Sequence, residues 1–327
     1  MLHRSGGGGP IVRTCSALVL VLVLAVVGCA EPEPRWPALD TSLRPDTPTE
    51  PTMPASRDDP PVGDTPPGAH ASQIPATLAP VDAARIIVLG DTPSAGGGAP
   101  TEDTYPELLS QNDDDAWPDD ADHDLETMMG TVPEVLRLAV YNANAATTEQ
   151  VQLPELSMLL GDTVSGHSIV VMTVGIHDVL TEVLSDDSAI RPAALDHVRN
   201  VVRYFRDPVR FPDGASIYLI NVTDPTNGTG LSHGCFLTEE ISGLPAAIES
   251  LNAQYLALGA ELGIGIVDAH GYFMGHGFAG TLTGEGYAAG DRSPTSWFSS
   301  CVVPDERGHN ELRKLLFEAI DGTYVAS

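Results

Sequence analysis

From residue 85 to the C-terminus, short apolar runs alternate with longer amphipathic stretches. Runs at 85–90, 136–142, 168–174, 215–221 and 263–268 are rich in Val, Ile and Leu, are bounded by turn residues, and predict buried strands. Between and after them, 148–160, 192–205, 243–262 and 307–320 repeat apolar residues at three- and four-residue spacing and predict helices. Strand–helix alternation of this kind needs a parallel sheet covered on both faces. The expected fold is therefore α/β: a three-layer α/β/α sandwich with a central parallel sheet, flavodoxin-like, in one domain over 81–327. The first run is the most sharply bounded. It stops at Gly90-Asp91 and turns through Pro93 and Gly96, so it reads as a strand carrying the hydroxyls of Thr92 and Ser94 to a sheet edge.

Before residue 81 the pattern changes twice. Arg4 and Arg13 precede an apolar run over 17–27 that is too short to span a bilayer. The run ends in Val26-Val27-Gly28-Cys29, which resembles a bacterial lipobox. That resemblance implies a signal peptide over 1–28, cleavage before Cys29, and a diacylglyceryl thioether on its sulfur. The mature protein is then expected in the bacterial cell envelope, lipid-anchored at the periplasmic face or outer membrane. Residues 29–80 are Pro-rich and acidic with no apolar periodicity, which predicts a disordered tether. A flexible chain of that length spans on the order of 40 Å.

Charge narrows the partners. The formal net charge is −29, and removing residues 1–28 takes away Arg4 and Arg13 and no acid, giving −31; Lys314 is the only lysine. Such a surface excludes nucleic acid and repels anionic headgroups, so the membrane is expected as a partner only through the lipid. The densest acidic run, Asp113 to Asp124, places Asp120, Asp122 and Asp124 at calcium-loop spacing. Leu125 stands where that loop needs glycine, so the run reads as a solvated loop, and no metal or cofactor is expected. With Cys15 removed and Cys29 lipidated, Cys235 and Cys301 remain, 66 residues apart. In an exported protein their pairing in a disulfide is the expectation, stabilising by roughly 4 kcal/mol on the chain-entropy estimate.

Four segments carry a family resemblance. They are Gly90-Asp91-Thr92 at the end of the first run, Asn144-Ala145-Ala146-Thr147-Thr148 after the second, Gly175-Ile176-His177-Asp178 after the third, and Ser300-Cys301-Val302-Val303 before the last helix. In order and spacing they resemble the blocks of the SGNH hydrolases, the GDSL-type lipases and esterases. The resemblance implies a nucleophile at Thr92, oxyanion donors at Ala145 and His177, and the orienting acid and general base at Ser300 and Val303. All five positions depart from the family's serine, glycine, asparagine, aspartate and histidine. Thr92 keeps a hydroxyl with a stiffer χ1. Ala145 keeps an N–H, and His177 keeps a donor of different reach. Val303 cannot accept a proton, and loss of the base in a triad enzyme costs on the order of 10⁶ in kcat.

Substitutes are available in principle: Ser94 as nucleophile, and His270, His276 or His309 as base. The first two histidines follow a run that should end at the same sheet edge as Thr92; His309 sits at the start of the last helix. Their plainer reading is ordinary hydrogen bonding in loops and at a helix start. The expected function is a catalytically impaired SGNH-like envelope lipoprotein that binds an acyl or glycan ligand or a protein partner. The competing expectation is an active ester hydrolase with a noncanonical nucleophile and a displaced histidine.

Overall fold

The computed structural model describes residues 74, 75, 78, 82–231, 240–277 and 296–322. Cys29, the signal and tether expected over 1–80 apart from residues 74, 75 and 78, and Cys235 lie outside them. The described residues belong to one compact unit, Gly63–Ser327.

Five strands form one parallel sheet: β1 Arg85–Gly90, β2 Glu134–Arg137, β3 Ser168–Thr173, β4 Ala215–Ile220 and β5 Gly265–Val267. Their spatial order is β2-β1-β3-β4-β5, with Arg85 in register with Glu134 and Ser168. Nine helices accompany them among the described residues: α1 Tyr105–Ser110, α2 Leu125–Met129, α3 Ala145–Thr147, α4 Leu153–Leu160, α5 Ile176–Ser185, α6 Ile190–Phe205, α7 Leu244–Leu262, α8 Ala269–Phe273 and α9 Glu306–Asp321. A short antiparallel hairpin, β6 Phe298–Ser300 and β7 Val303–Pro304, precedes α9.

Alternation along each strand divides the core. Ile86, Val88, Val171 and Ile220 face one apolar layer with Tyr105, Leu109, Leu312 and Leu316. Ile87, Leu89, Met172 and Leu219 face the other, with Leu156, Val179, Val201 and Leu251. The predicted three layers are therefore observed, and the chirality of parallel crossovers puts the loops that follow each strand at one edge. The strand order turns back between β1 and β3, and clefts in open α/β sheets form outside the carboxyl ends of strands at such a point.

Two elements differ from the sequence expectation. The strand expected over 136–142 is regular only over Glu134–Arg137. Leu138 and Val140 still donate to the carbonyls of Val88 and Gly90, at 2.9 and 3.0 Å, but Asn142 turns the chain at φ 60°. The helix expected over 148–160 begins at Ala145 and contains a π turn at Thr148–Gln152. That turn points the fully buried Gln152 inward, where its amide accepts from the Gly90 N–H at 2.7 Å and donates to the Gly90 carbonyl at 2.8 Å.

Candidate active site

β1 ends in a turn that only glycine permits. Gly90 has φ +109°, and a Cβ there would lie 1.8 Å from the Thr173 carbonyl oxygen. The missing side chain lets β1 and β3 close on each other, and Gln152 holds the Gly90 peptide from the opposite face. Thr92 follows, 2% exposed. Its Oγ1 accepts the Asn142 N–H at 3.0 Å and lies 3.5 Å from Asn142 Oδ1. These are its hydrogen-bonding neighbours among the described residues, and no imidazole is one of them.

Gly97 locates the rest of the group. A Cβ on it would lie 2.7 Å from Thr92 Cγ2, 3.1 Å from Val303 Cγ1 and 3.1 Å from Tyr141 Cε1. Thr92 and Val303 thus share Gly97 as a neighbour, and Val303, which the resemblance puts in the place of the base, offers only methyl groups there. Ser300 is the register partner of Val303 in the hairpin and is exposed. Cys301 is half-buried in the intervening turn; its expected partner Cys235 lies outside the described residues.

The oxyanion positions are also changed. The Ala145 N–H donates to Asp178 Oδ2 at 3.0 Å. Burial raises the Asp178 carboxyl to about 6, against the Ala145 hydrogen bond and the nearby His197. A carboxylate on that N–H opposes a second anion beside it. His177 is half-buried, its Nε2 has no hydrogen-bond partner among the described residues, and burial lowers its pKa. The Thr92 N–H has no acceptor among the described residues; it is a backbone donor next to its own hydroxyl, which block matching does not reveal.

Two of the substitute groups, Ser94 and His309, are committed elsewhere. Ser94 is fully buried, with Oγ 2.6 Å from Tyr105 Oη and 2.7 Å from Thr173 Oγ1. Thr173 Oγ1 donates to Asp91 Oδ1 at 2.5 Å, so Ser94 must donate to Thr173 and Tyr105 to Ser94. Three hydroxyls in series point at one carboxyl, and the Ser94 proton is not available to a base. His309 is fully buried; its Nδ1 accepts the Tyr105 N–H at 3.3 Å and its Nε2 donates to the Gly97 carbonyl at 2.8 Å. Burial drops its pKa to about 4, with Arg137 adding to the effect and the Gly97 bond opposing it. It is a neutral clamp on the 96–98 loop rather than a base. The His276 ring stacks on Trp297 at 3.6 Å. His270 is buried in α8, where its N–H donates to Asn221 Oδ1 at 2.7 Å.

Asp91 is the group that sequence matching passed over. It is 2% exposed, and burial first, then the nearby Asp178, raise its carboxyl to about 7, against the Thr173 hydrogen bond. With Thr173, Asn221, Phe273, Val302 and Pro304 it lines a cavity of about 30 Å³, room for roughly one water. The acidic loop holds no calcium-type cluster: Asp120 pairs with Arg313 at 3.1 Å, Asp124 caps α2, and no group of three metal-ligating side chains forms among the described residues.

No family model matches the chain, and no curated protein matches it. Several solved structures are similar to it. An extracellular lipase from Streptomyces rimosus is 16% identical over 72% of this chain and 100% of that one, with a TM-score of 0.42. A phospholipase A1 from Streptomyces albidoflavus is 18% identical over 72% and 98%, at 0.43. A lipolytic G-D-S-L family member from Veillonella parvula is 14% identical over 72% and 96%, at 0.45.

Proposed function

We propose that the chain is an SGNH-type hydrolase domain whose cleft has lost proton transfer and is kept as a binding site. The observation that carries this reading is the surroundings of Thr92: an Asn142 N–H on its oxygen and a Val303 methyl in the base position. The hydroxyl proton faces only an amide oxygen, Asn142 Oδ1 at 3.5 Å, and a hydroxyl with no basic group to take its proton is a poor nucleophile at neutral pH. The ligand class is an acyl or acetylated glycan group. The cavity beside Asp91, with room for roughly one water, is too small to take a long acyl chain.

The test is turnover of short-chain p-nitrophenyl esters by the purified protein. The expected kcat lies well below the ~1 s⁻¹ at the lower end of typical enzymes, and Thr92→Ala should leave it unchanged. One observation favours a second reading, a hydrolase that uses His177. Its Nε2 is buried without a hydrogen-bond partner among the described residues, and a lowered pKa keeps the ring neutral and able to accept a proton. Turnover lost in both Thr92→Ala and His177→Ala establishes that reading instead.

The lipobox-like Val26-Val27-Gly28-Cys29 supports a lipid-anchored envelope protein. Cys29→Ser should release the protein from the membrane fraction or block its processing. A variant that is normally cleaved and still sediments with membranes at high salt contradicts the anchor.

A further inference from the structure

The edge of the sheet opposite the candidate site exposes three large apolar side chains: Met158 at 79%, Leu159 at 65% and Val209 at 76%. The segments that carry them are joined. Arg210 Nη1 donates to Ser157 Oγ at 2.9 Å and to the Gly161 carbonyl at 3.1 Å, which fastens the turn after α6 to the end of α4. Both turns lead into the amino ends of strands, β3 and β4, whereas Thr92, Asn142 and His177 follow the carboxyl ends of β1, β2 and β3. The patch and the cleft therefore face opposite ways.

Charge marks the same place. Residues 157–163 and 203–213 carry Arg203, Arg206 and Arg210 against Asp162, Asp207 and Asp213, a formal sum of zero in a chain of −29. Repulsion from anionic headgroups is therefore weaker here than the net charge of the chain implies. The chain also enters the domain here. The Ala84 N–H, just before β1, donates to the His167 carbonyl at 2.9 Å, and the His167 ring lies 3.0 Å from the Asp213 carbonyl.

We propose that this edge seats on the surface of a lipid bilayer, with Met158, Leu159 and Val209 in the interfacial region and the Thr92 cleft turned away from the membrane. The proposal rests on the lipid-anchor reading. A tether that reaches on the order of 40 Å keeps the domain at high effective concentration near the surface, so a small patch suffices to orient it. Burying apolar side chains in the interface supplies the attraction.

The test uses the full chain bound to phosphatidylcholine vesicles with brominated acyl chains, which quench tryptophan at close range. Tryptophan is placed at the patch by Val209→Trp or beside the cleft by Tyr141→Trp, and each emission is read as a difference from the parent. The Val209→Trp signal should fall by about half or more, the Tyr141→Trp signal should be unchanged, and adding Met158→Asp and Leu159→Asp to Val209→Trp should abolish the quenching. A chain that floats with the vesicles but is quenched equally at both positions, or at neither, overturns the seat alone. A chain that stays off the vesicles overturns the seat and the anchor together.

Discussion

Asp91→Asn is expected to stabilise the protein, and by more at pH 8 than at pH 5. In the folded chain the carboxyl stays protonated up to about 7, whereas in the unfolded chain it ionises near its ordinary value of 3.8. Between those values the folded state binds the extra proton, so rising pH favours unfolding, at 1.36 kcal/mol per pH unit for one group. The asparagine keeps an oxygen to accept from Thr173 and has no charge to bury, so the variant escapes this loss. Its advantage over the parent should widen by about 2–3 kcal/mol between pH 5 and pH 8, read as thermal midpoints at the two values. Asp178 and His309 titrate in both proteins and largely cancel in the difference. A gain equal at both pH values, or a loss at pH 8, would show that Asp91 is ionised in the fold and has an unseen partner.

The same residue shows what the sequence could and could not reveal. The five strands and the long helices were legible because each buries an apolar run or stripe, and burial writes a period into the chain. α1, α2 and α8 have five or six residues each, too few for a period, and α5 was read only as part of a motif. The resemblance in the four segments rests on the residues around each departing position: Gly90 and Asp91 beside Thr92, Gly175 and Asp178 beside His177. Thr92 Cγ2 and Val303 Cγ1 both lie close to Gly97. What could not be read was the use of each hydrogen bond. Ser94 and His309 are suitable side chains by type, and only the buried partners around them show that their protons are committed. Asp91 belongs to a matched motif, yet its raised pKa arises from burial without a cation, which one strand of sequence does not display.

Restoring the five altered positions together is expected to return esterase activity, raising kcat/KM by about 10² or more, the typical contribution of general acid–base catalysis. Thr92→Ser removes the methyl group that lies against Gly97, which opens space next to the hydroxyl. Val303→His puts an imidazole into that space, and Ser300→Asp, on the paired position of the hairpin, supplies the carboxylate that holds its tautomer. The base and acid must be restored together, since an imidazole without its partner adopts the wrong tautomer and a carboxylate alone takes no proton from the hydroxyl. His177→Asn gives a side-chain oxyanion donor, and the Thr92 N–H is in place for a second. Ala145→Gly is the weakest of the five. Its N–H is already held by Asp178, and Ala145 is fully buried, so the change removes packing at the start of α3. The quadruple variant that keeps Ala145 should therefore match or exceed the quintuple in thermal midpoint and recover most of the activity. If both variants fold and neither exceeds the parent on p-nitrophenyl acetate, the cleft has been remodelled beyond its polar groups. Ligand binding in the cleft would then lose its support along with catalysis.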